Sequence, residues 1–130
     1  MEKKKIMLSV ALAVNNEENN IRACLSSIAD IAGEIVVVDG GSTDKTAEIA
    51  KEFGAKIIQT DNPPIFHINK QKALDACQGD WIIQLDADEV VTGELKKEIE
   101  VIITNQEPIN GYYIPRRNYF LGHFMRKGGQ

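Results

Sequence analysis

Glu34-Ile35-Val36-Val37-Val38-Asp39-Gly40-Gly41-Ser42-Thr43-Asp44-Lys45-Thr46 decides the fold. Four consecutive apolar residues, three of them valine, form the clearest strand in the chain. The run does not alternate polar with apolar, so both faces of this strand are expected to be covered, as in a parallel sheet. Gly40-Gly41 makes a tight loop, and Ser42 or Thr43 is placed to cap a helix from Lys45 to Phe53, with Gly54 at its C-terminal stop. A buried strand, a glycine turn and a capped helix make one β–α unit.

The same unit recurs on either side. Ile6 to Val14 is an apolar run broken only by Ser9. The polar stretch Asn15 to Asn20 then offers an asparagine N-cap and early acidic residues, and Ile21, Cys24, Leu25 and Ile28 follow at helical spacing up to Asp30–Gly33. Ala55–Gln59 reads as a third strand, and Pro63-Pro64 excludes a regular element after it. A helix over Phe66–Cys77, with Ile68, Ala73, Leu74 and Cys77 as core positions, leads to a fourth strand, Trp81-Ile82-Ile83-Gln84-Leu85. Thr92 caps a helix over 93–104 that is amphipathic through Leu95, Ile99, Ile102 and Ile103, and Tyr112–Pro115 reads as a fifth strand. Strands alternating with helices imply a three-layer α/β/α, Rossmann-like domain with a mainly parallel sheet and right-handed crossovers.

Composition sets the outer bounds. The 130 residues are 43% hydrophobic and 26% charged, enough for one ordinary globular core. No apolar run approaches the roughly eighteen residues of a membrane span, and the basic start Met1–Lys5 lacks the pattern of a secretory leader. Cys24 and Cys77 have no metal-type spacing and read as buried free thiols in a reducing, cytoplasmic setting. The net charge of −4 is uneven: residues 111–130 carry +4 and five aromatic side chains, which leaves −8 on residues 1–110. An acidic body argues against nucleic acid. A basic, aromatic tail suits phosphate, an anionic membrane surface, or a further part of the protein.

Carboxylates gather where the strands end. The first strand runs into Asn16-Glu17, the second into Asp39, and the fourth into Asp86-Ala87-Asp88. In an open α/β sheet these ends share one edge, the edge at which such sheets bind ligands. Asp86 and Asp88 are two residues apart and fall on one face if the strand continues, a pair of hard oxygen ligands suited to Mn2+ or Mg2+. Val90 and Val91 exclude a calcium loop, and no G-x-G-x-x-G or Walker lysine loop follows the first strand. What remains is an acidic site able to take a nucleoside diphosphate through its base and its metal.

Three segments in this order carry a family resemblance: Ser9–Glu18, Ile35–Thr46, and Gly79-Asp80-Trp81 leading into Leu85–Asp88. Together they closely resemble the nucleotide-sugar half of glycosyltransferase family 2, whose members have the GT-A fold. The stretch Gly111–Gly122 resembles the bacterial subgroup that builds lipopolysaccharide core and related envelope glycans. The resemblance implies nucleotide contacts at Val14, Asn16, Glu17, Asp39, Lys70, Asp86 and Ala87 and a metal on Asp88 and Asp86; Arg116 and Arg117 are candidate phosphate or acceptor contacts because guanidinium binds phosphate bidentately. Ala13 and Asn15 stand where the family more commonly has proline and tyrosine, so its aromatic base-stacking contact is missing. The general base the resemblance implies is an acidic residue well beyond the DxD, yet no acidic residue follows Glu107.

The expectation is therefore a nucleotide-sugar-binding domain at 1–110 and a basic aromatic tail at 111–130 that begins the acceptor side of a truncated transferase. Its activity would be inverting, metal-dependent transfer to a glycan or lipid-linked acceptor, in the cytoplasm at the inner membrane face, with peripheral membrane contact. Two other readings stay open: a non-catalytic interaction module that forms a homodimer through the tail, and a phosphohydrolase with Asp86 as nucleophile.

Overall fold

The computed structural model describes residues 8–60 and 66–104, and a strand at 124–126; for residues 66, 67 and 124–126 the description is of the backbone. The elements run β1 (Leu8–Val14), α1 (Ile21–Ser26), β2 (Glu34–Asp39), α2 (Thr46–Glu52), β3 (Lys56–Gln59), α3 (Phe66–Ala76), β4 (Trp81–Gln84), α4 (Gly93–Thr104) and β5 (Phe124–Arg126). They form one sheet in the order β3-β2-β1-β4-β5. β1 pairs in parallel with β2 and β4, β2 in parallel with β3, and β5 runs antiparallel to β4.

Chain direction explains the layers. Two successive crossovers step from β1 to β3 in one direction, and the next returns across the sheet to β4. Crossovers of one hand that reverse direction place their helices on opposite faces. α1 and α2 accordingly pack on one face, where α4 joins them, with Leu8, Val10, Leu12 and Val14 meeting Ile21, Leu25, Ile49, Leu95 and Ile99. α3 covers the other face, where Ala73 and Cys77 meet Ala11, Val36, Val38 and Ile82. All seven residues of β1 are buried, which is why its sequence shows no alternation.

Several local expectations hold. α4 spans Gly93–Thr104, and the Leu95 N–H donates to Thr92 Oγ1 at 3.1 Å, the cap its sequence foretells. Gly54 has φ 79°, a left-handed C-terminal stop that a side chain would strain. Both cysteines are buried, and no disulfide joins them.

Others are corrected. The helix expected to run from the Asn15–Asn20 stretch to Asp30 ends at Ser26. Ser27 turns its Oγ back onto the Cys24 carbonyl at 2.6 Å and accepts the Val91 N–H at 2.9 Å, which commits that segment to a turn. Six residues cannot sustain a helix alone; buried Ile21, Cys24 and Leu25 hold it on the sheet. Asn20 is the N-cap residue, but its side chain makes no cap bond and its amide goes to Glu17 Oε1 instead. Neither Ser42 nor Thr43 caps α2; the Thr46 N–H goes to Asp44 Oδ1 at 2.9 Å. Ile68 is 40% exposed, whereas Asn69 beside it is fully buried. The fifth strand lies at Phe124–Arg126 and is antiparallel; the expected strand at Tyr112–Pro115 falls outside the described residues.

Candidate active site

β1 neighbours β2 on one side and β4 on the other, so connections leave the two sides of β1 in opposite directions. A crevice opens at such a switch point, outside the carboxyl ends of the strands. Here it is a cleft of about 280 Å³ lined by Ala13, Glu17, Lys70, Asp86, Ala87 and Asp88. Three segments far apart in sequence meet there: the end of β1, the first turns of α3, and the turn after β4.

The DxD pair is not on a continuing strand. β4 ends at Gln84, and residues 86–89 form a turn. The Glu89 N–H donates to the Asp86 carbonyl at 2.9 Å, and the Asp86 N–H donates to Glu89 Oε1 at 2.8 Å. This reciprocal closure, rather than strand pleating, brings both aspartates to the cleft. Val91 anchors the turn's far end to Ser27 through its N–H, and the Leu85 N–H anchors the near end to the Ala11 carbonyl at 3.0 Å. Lys70 Nζ stands 3.3 Å from Asp86 Oδ1, each side chain part-exposed.

Beneath the turn, Cys24 points its Sγ at the Asp86 carbonyl, 3.6 Å away. Burial first, and then the negative charges of Glu89, Asp88, Asp86 and Glu17, push its thiol up to about 12. Of these carboxylates, Glu17, Asp86 and Asp88 line the cleft itself. Such a concentration of hard oxygen donors is what a divalent cation neutralises. No group of three or more His, Cys, Asp or Glu among the described residues could hold an ion unaided. That composition fits Mn2+ or Mg2+, which take one or two carboxylates and share the rest of their shell with water and substrate phosphate.

The remaining predicted site residues separate into two groups. Glu17, Lys70, Asp86, Ala87 and Asp88 line the cleft. Val14 turns its side chain into the core, 1% exposed, and its carbonyl accepts the Gly40 N–H at 2.8 Å. Asp39 is 2% exposed and accepts the Ser42 N–H at Oδ1, 2.9 Å, so its carboxylate closes the loop after β2. Asn16 is exposed, with φ 55°, and its Oδ1 accepts the Thr43 N–H at 2.8 Å while its own N–H donates to Ser42 Oγ at 2.8 Å. Arg116 and Arg117 lie outside the described residues.

Sequence reasoning missed Glu89, Asp44 and Thr46. Glu89 sits three residues after Asp86 and its carboxylate bonds back to the Asp86 N–H, as the glutamate of a helix-start box does. Ser42, Asp44 and Thr46 are residue types that hydrogen-bond backbone outside helices, whereas the sequence reading of this loop goes no further than a cap at Ser42 or Thr43. Gln84, at the end of β4, has a buried Nε2 with no acceptor, which no sequence pattern signals.

The glycosyl transferase family 2 sequence profile matches residues 9–128 of the 130. The chain belongs to glycosyl transferase family 2. Among curated relatives, a lipopolysaccharide core biosynthesis glycosyltransferase of Rhizobium meliloti is 32% identical over 127 residues, covering 92% of this chain and 45% of its own length. An uncharacterised glycosyltransferase of Rickettsia bellii is 37% identical over 100 residues, covering 76% of this chain and 33% of its own length. The chain thus spans less than half of either relative. Among solved structures, residues 1–349 of TarS from S. aureus superpose with a TM-score of 0.68 at 25% identity, covering 85% of this chain and 38% of that one. Glucosyl-3-phosphoglycerate synthase of Mycobacterium tuberculosis, crystallised with Mn2+ and UDP-glucose, superposes with a TM-score of 0.60 at 25% identity, covering 81% and 42%. The sheet and its flanking helices are those of the GT-A glycosyltransferases.

Proposed function

We propose that this chain is the donor-binding portion of an inverting, metal-dependent transferase. It would move a sugar from a nucleoside diphosphate to a hydroxyl of a glycan or lipid-linked acceptor. The observation that carries the proposal is the cleft at the switch point, where Glu17, Lys70, Asp86 and Asp88 converge. In this reading Asp86 and Asp88 hold Mn2+ or Mg2+ jointly with the diphosphate, and Lys70 turns from Asp86 to a phosphate oxygen. When bound, the cation supplies Lewis-acid stabilisation of the departing diphosphate. Glu17 and the segment around Ala13 and Ala87 face the nucleoside. Val14, Asn16 and Asp39 contribute through the loops they hold, with any direct base contact made by their backbone.

Inverting transfer also needs a base within hydrogen-bond reach of the attacking hydroxyl. No acidic residue follows Glu107 among these 130, so none of the tail residues is assigned as that base, and these residues by themselves are expected to bind donor without transferring sugar. Arg116 and Arg117, in the tail at 111–130, are proposed to reach the diphosphate or the acceptor, since guanidinium binds phosphate bidentately. The similarity to the rhizobial core transferase supports an envelope glycan as acceptor class, which would place the reaction in the cytoplasm at the inner membrane face. Among the described residues no helix is long and apolar enough to cross a membrane.

The test is calorimetric titration of the chain with UDP, GDP and dTDP, each with and without Mn2+. Binding of at least one, strengthened by the metal, is expected; no binding in any arm would sink the proposal.

A further inference from the structure

The loop after β2 contributes no side chain to the cleft, yet it is stitched to the loop that does. Asn16, with φ 55°, turns the chain after β1 so that successive N–H groups of residues 16, 17 and 18 face the second loop. The Asn16 N–H meets Ser42 Oγ at 2.8 Å, the Glu17 N–H meets Thr46 Oγ1 at 2.8 Å, and the Glu18 N–H meets Asp44 Oδ2 at 3.2 Å. The return direction is also occupied: the Thr43 N–H donates to Asn16 Oδ1 at 2.8 Å, and the Lys45 N–H to Glu18 Oε1 at 3.1 Å. At the centre stands Thr46, whose side chain is fully buried. Its hydroxyl donates to Asp44 Oδ1, so its lone pair is left for the Glu17 N–H. One proton position satisfies every partner, which defines the direction of each bond.

We infer that Thr46 and Asp44 are positioning residues for the donor cleft, acting through the main chain of Glu17. The inference rests on the proposed donor reading of that cleft. Thr46 grips the backbone of the one acidic cleft residue on the β1 side, and Asp44 fixes Thr46. Glu17 is gripped on its other flank as well, since its carbonyl accepts the N–H groups of Asn20 and Ile21 at 3.0 and 2.9 Å. A residue held at both peptide groups presents its carboxylate from a fixed point, and such fixed placement is what makes a binding group effective.

The exchange Thr46→Val keeps the shape and removes the hydroxyl, so the Glu17 N–H loses its acceptor. Thr46→Ser keeps the hydroxyl. The affinity for UDP, or for whichever of UDP, GDP and dTDP the parent binds, is measured with Mn2+ well below each variant's melting temperature. Thr46→Val is expected to weaken binding about tenfold, the equivalent of one net hydrogen bond, and Thr46→Ser to restore it to within about twofold of the parent. Glu17→Gln is expected to weaken binding to a similar extent, and the double variant Glu17→Gln/Thr46→Val no further than either alone. Should Thr46→Val fail to fold, Asp44→Asn takes its place, with an expected loss of about threefold. A Thr46→Val protein that melts earlier but binds as the parent overturns the inference, as does a double variant whose losses multiply. A parent that binds none of the three nucleotides overturns the donor reading and this inference with it.

Discussion

Ser9 is the only polar side chain of the β1 strand, and it is fully buried. It sits at the amino end of the strands, opposite the cleft. Its Oγ–H donates to Glu34 Oε1 at 2.6 Å, and its Oγ accepts the Gly79 N–H at 2.8 Å. Glu34 Oε1 also accepts the Gln78 N–H at 2.8 Å, so one serine and one glutamate join β1, β2 and the turn before β4. In Ser9→Ala the Gly79 N–H, itself buried, is left without an acceptor. A stranded buried donor costs about 1–3 kcal/mol, and a lost hydrogen bond to a carboxylate about 1.5–3. Glu34 is only half-buried and keeps Gln78, so water recovers part of the second loss. The net destabilisation is expected at about 2–3 kcal/mol, a large share of the roughly 5–15 kcal/mol that holds a domain together. Urea unfolding followed by circular dichroism reads it as a lower midpoint at unchanged slope. Nucleotide affinity should be unchanged, because the clip lies at the far end of the sheet. A Ser9→Ala protein within about 0.5 kcal/mol of the parent would refute the buried-clip argument.

Three further outcomes follow from the same geometry. Lys70→Met removes the ammonium beside Asp86 and is expected to weaken nucleotide binding in the absence of metal; unchanged metal-free affinity by calorimetry speaks against it. Burial alone would raise the Asp44 carboxyl, but the hydrogen bonds it accepts from Thr46 and Glu18 outweigh that and hold it below its ordinary range. A depressed folded value means that its contribution is present above about pH 4, the unfolded value, and is lost as pH falls through the folded one. The Glu18 and Thr46 amide resonances should therefore shift with a midpoint below about pH 4 and stay flat in Asp44→Asn. Cys24, with its thiol raised to about 12, should resist aromatic disulfide reagents at pH 8 in the native protein and react in denaturant; rapid native labelling at that position would contradict its placement.

The core was legible because strands buried on both faces leave unmistakable runs. Leu8 to Val14 and Ile35 to Val38 announce themselves, and the parallel arrangement follows from the helices between them. Leu95, Ile99, Ile102 and Ile103 likewise mark the buried face of α4 by their spacing alone. The acidic corner was legible in composition but not in geometry. That Asp86 and Asp88 share a cleft depends on Glu89 bonding back three residues, a tertiary choice among several turns open to the same sequence. Asp39, at the end of its strand, is buried and closes its own loop through Ser42, a bond that the sequence does not announce. The pairing of the two loops was invisible because its partners lie 26–29 residues apart and consist of backbone N–H groups meeting side-chain oxygens. The antiparallel β5 escaped for a related reason. A strand of three residues, Phe124–Arg126, carries too little pattern to be read from sequence.

The central claim, that the turn at Asp86–Asp88 holds a divalent cation against a nucleoside diphosphate, is tested most directly by one comparison. Affinity for the bound nucleotide is measured with and without Mn2+ in the parent and in Asp88→Ala. The account predicts metal-strengthened binding in the parent and loss of the metal's contribution in the variant, with metal-free affinity little changed. An Asp88→Ala protein that keeps the full effect of Mn2+ would contradict it.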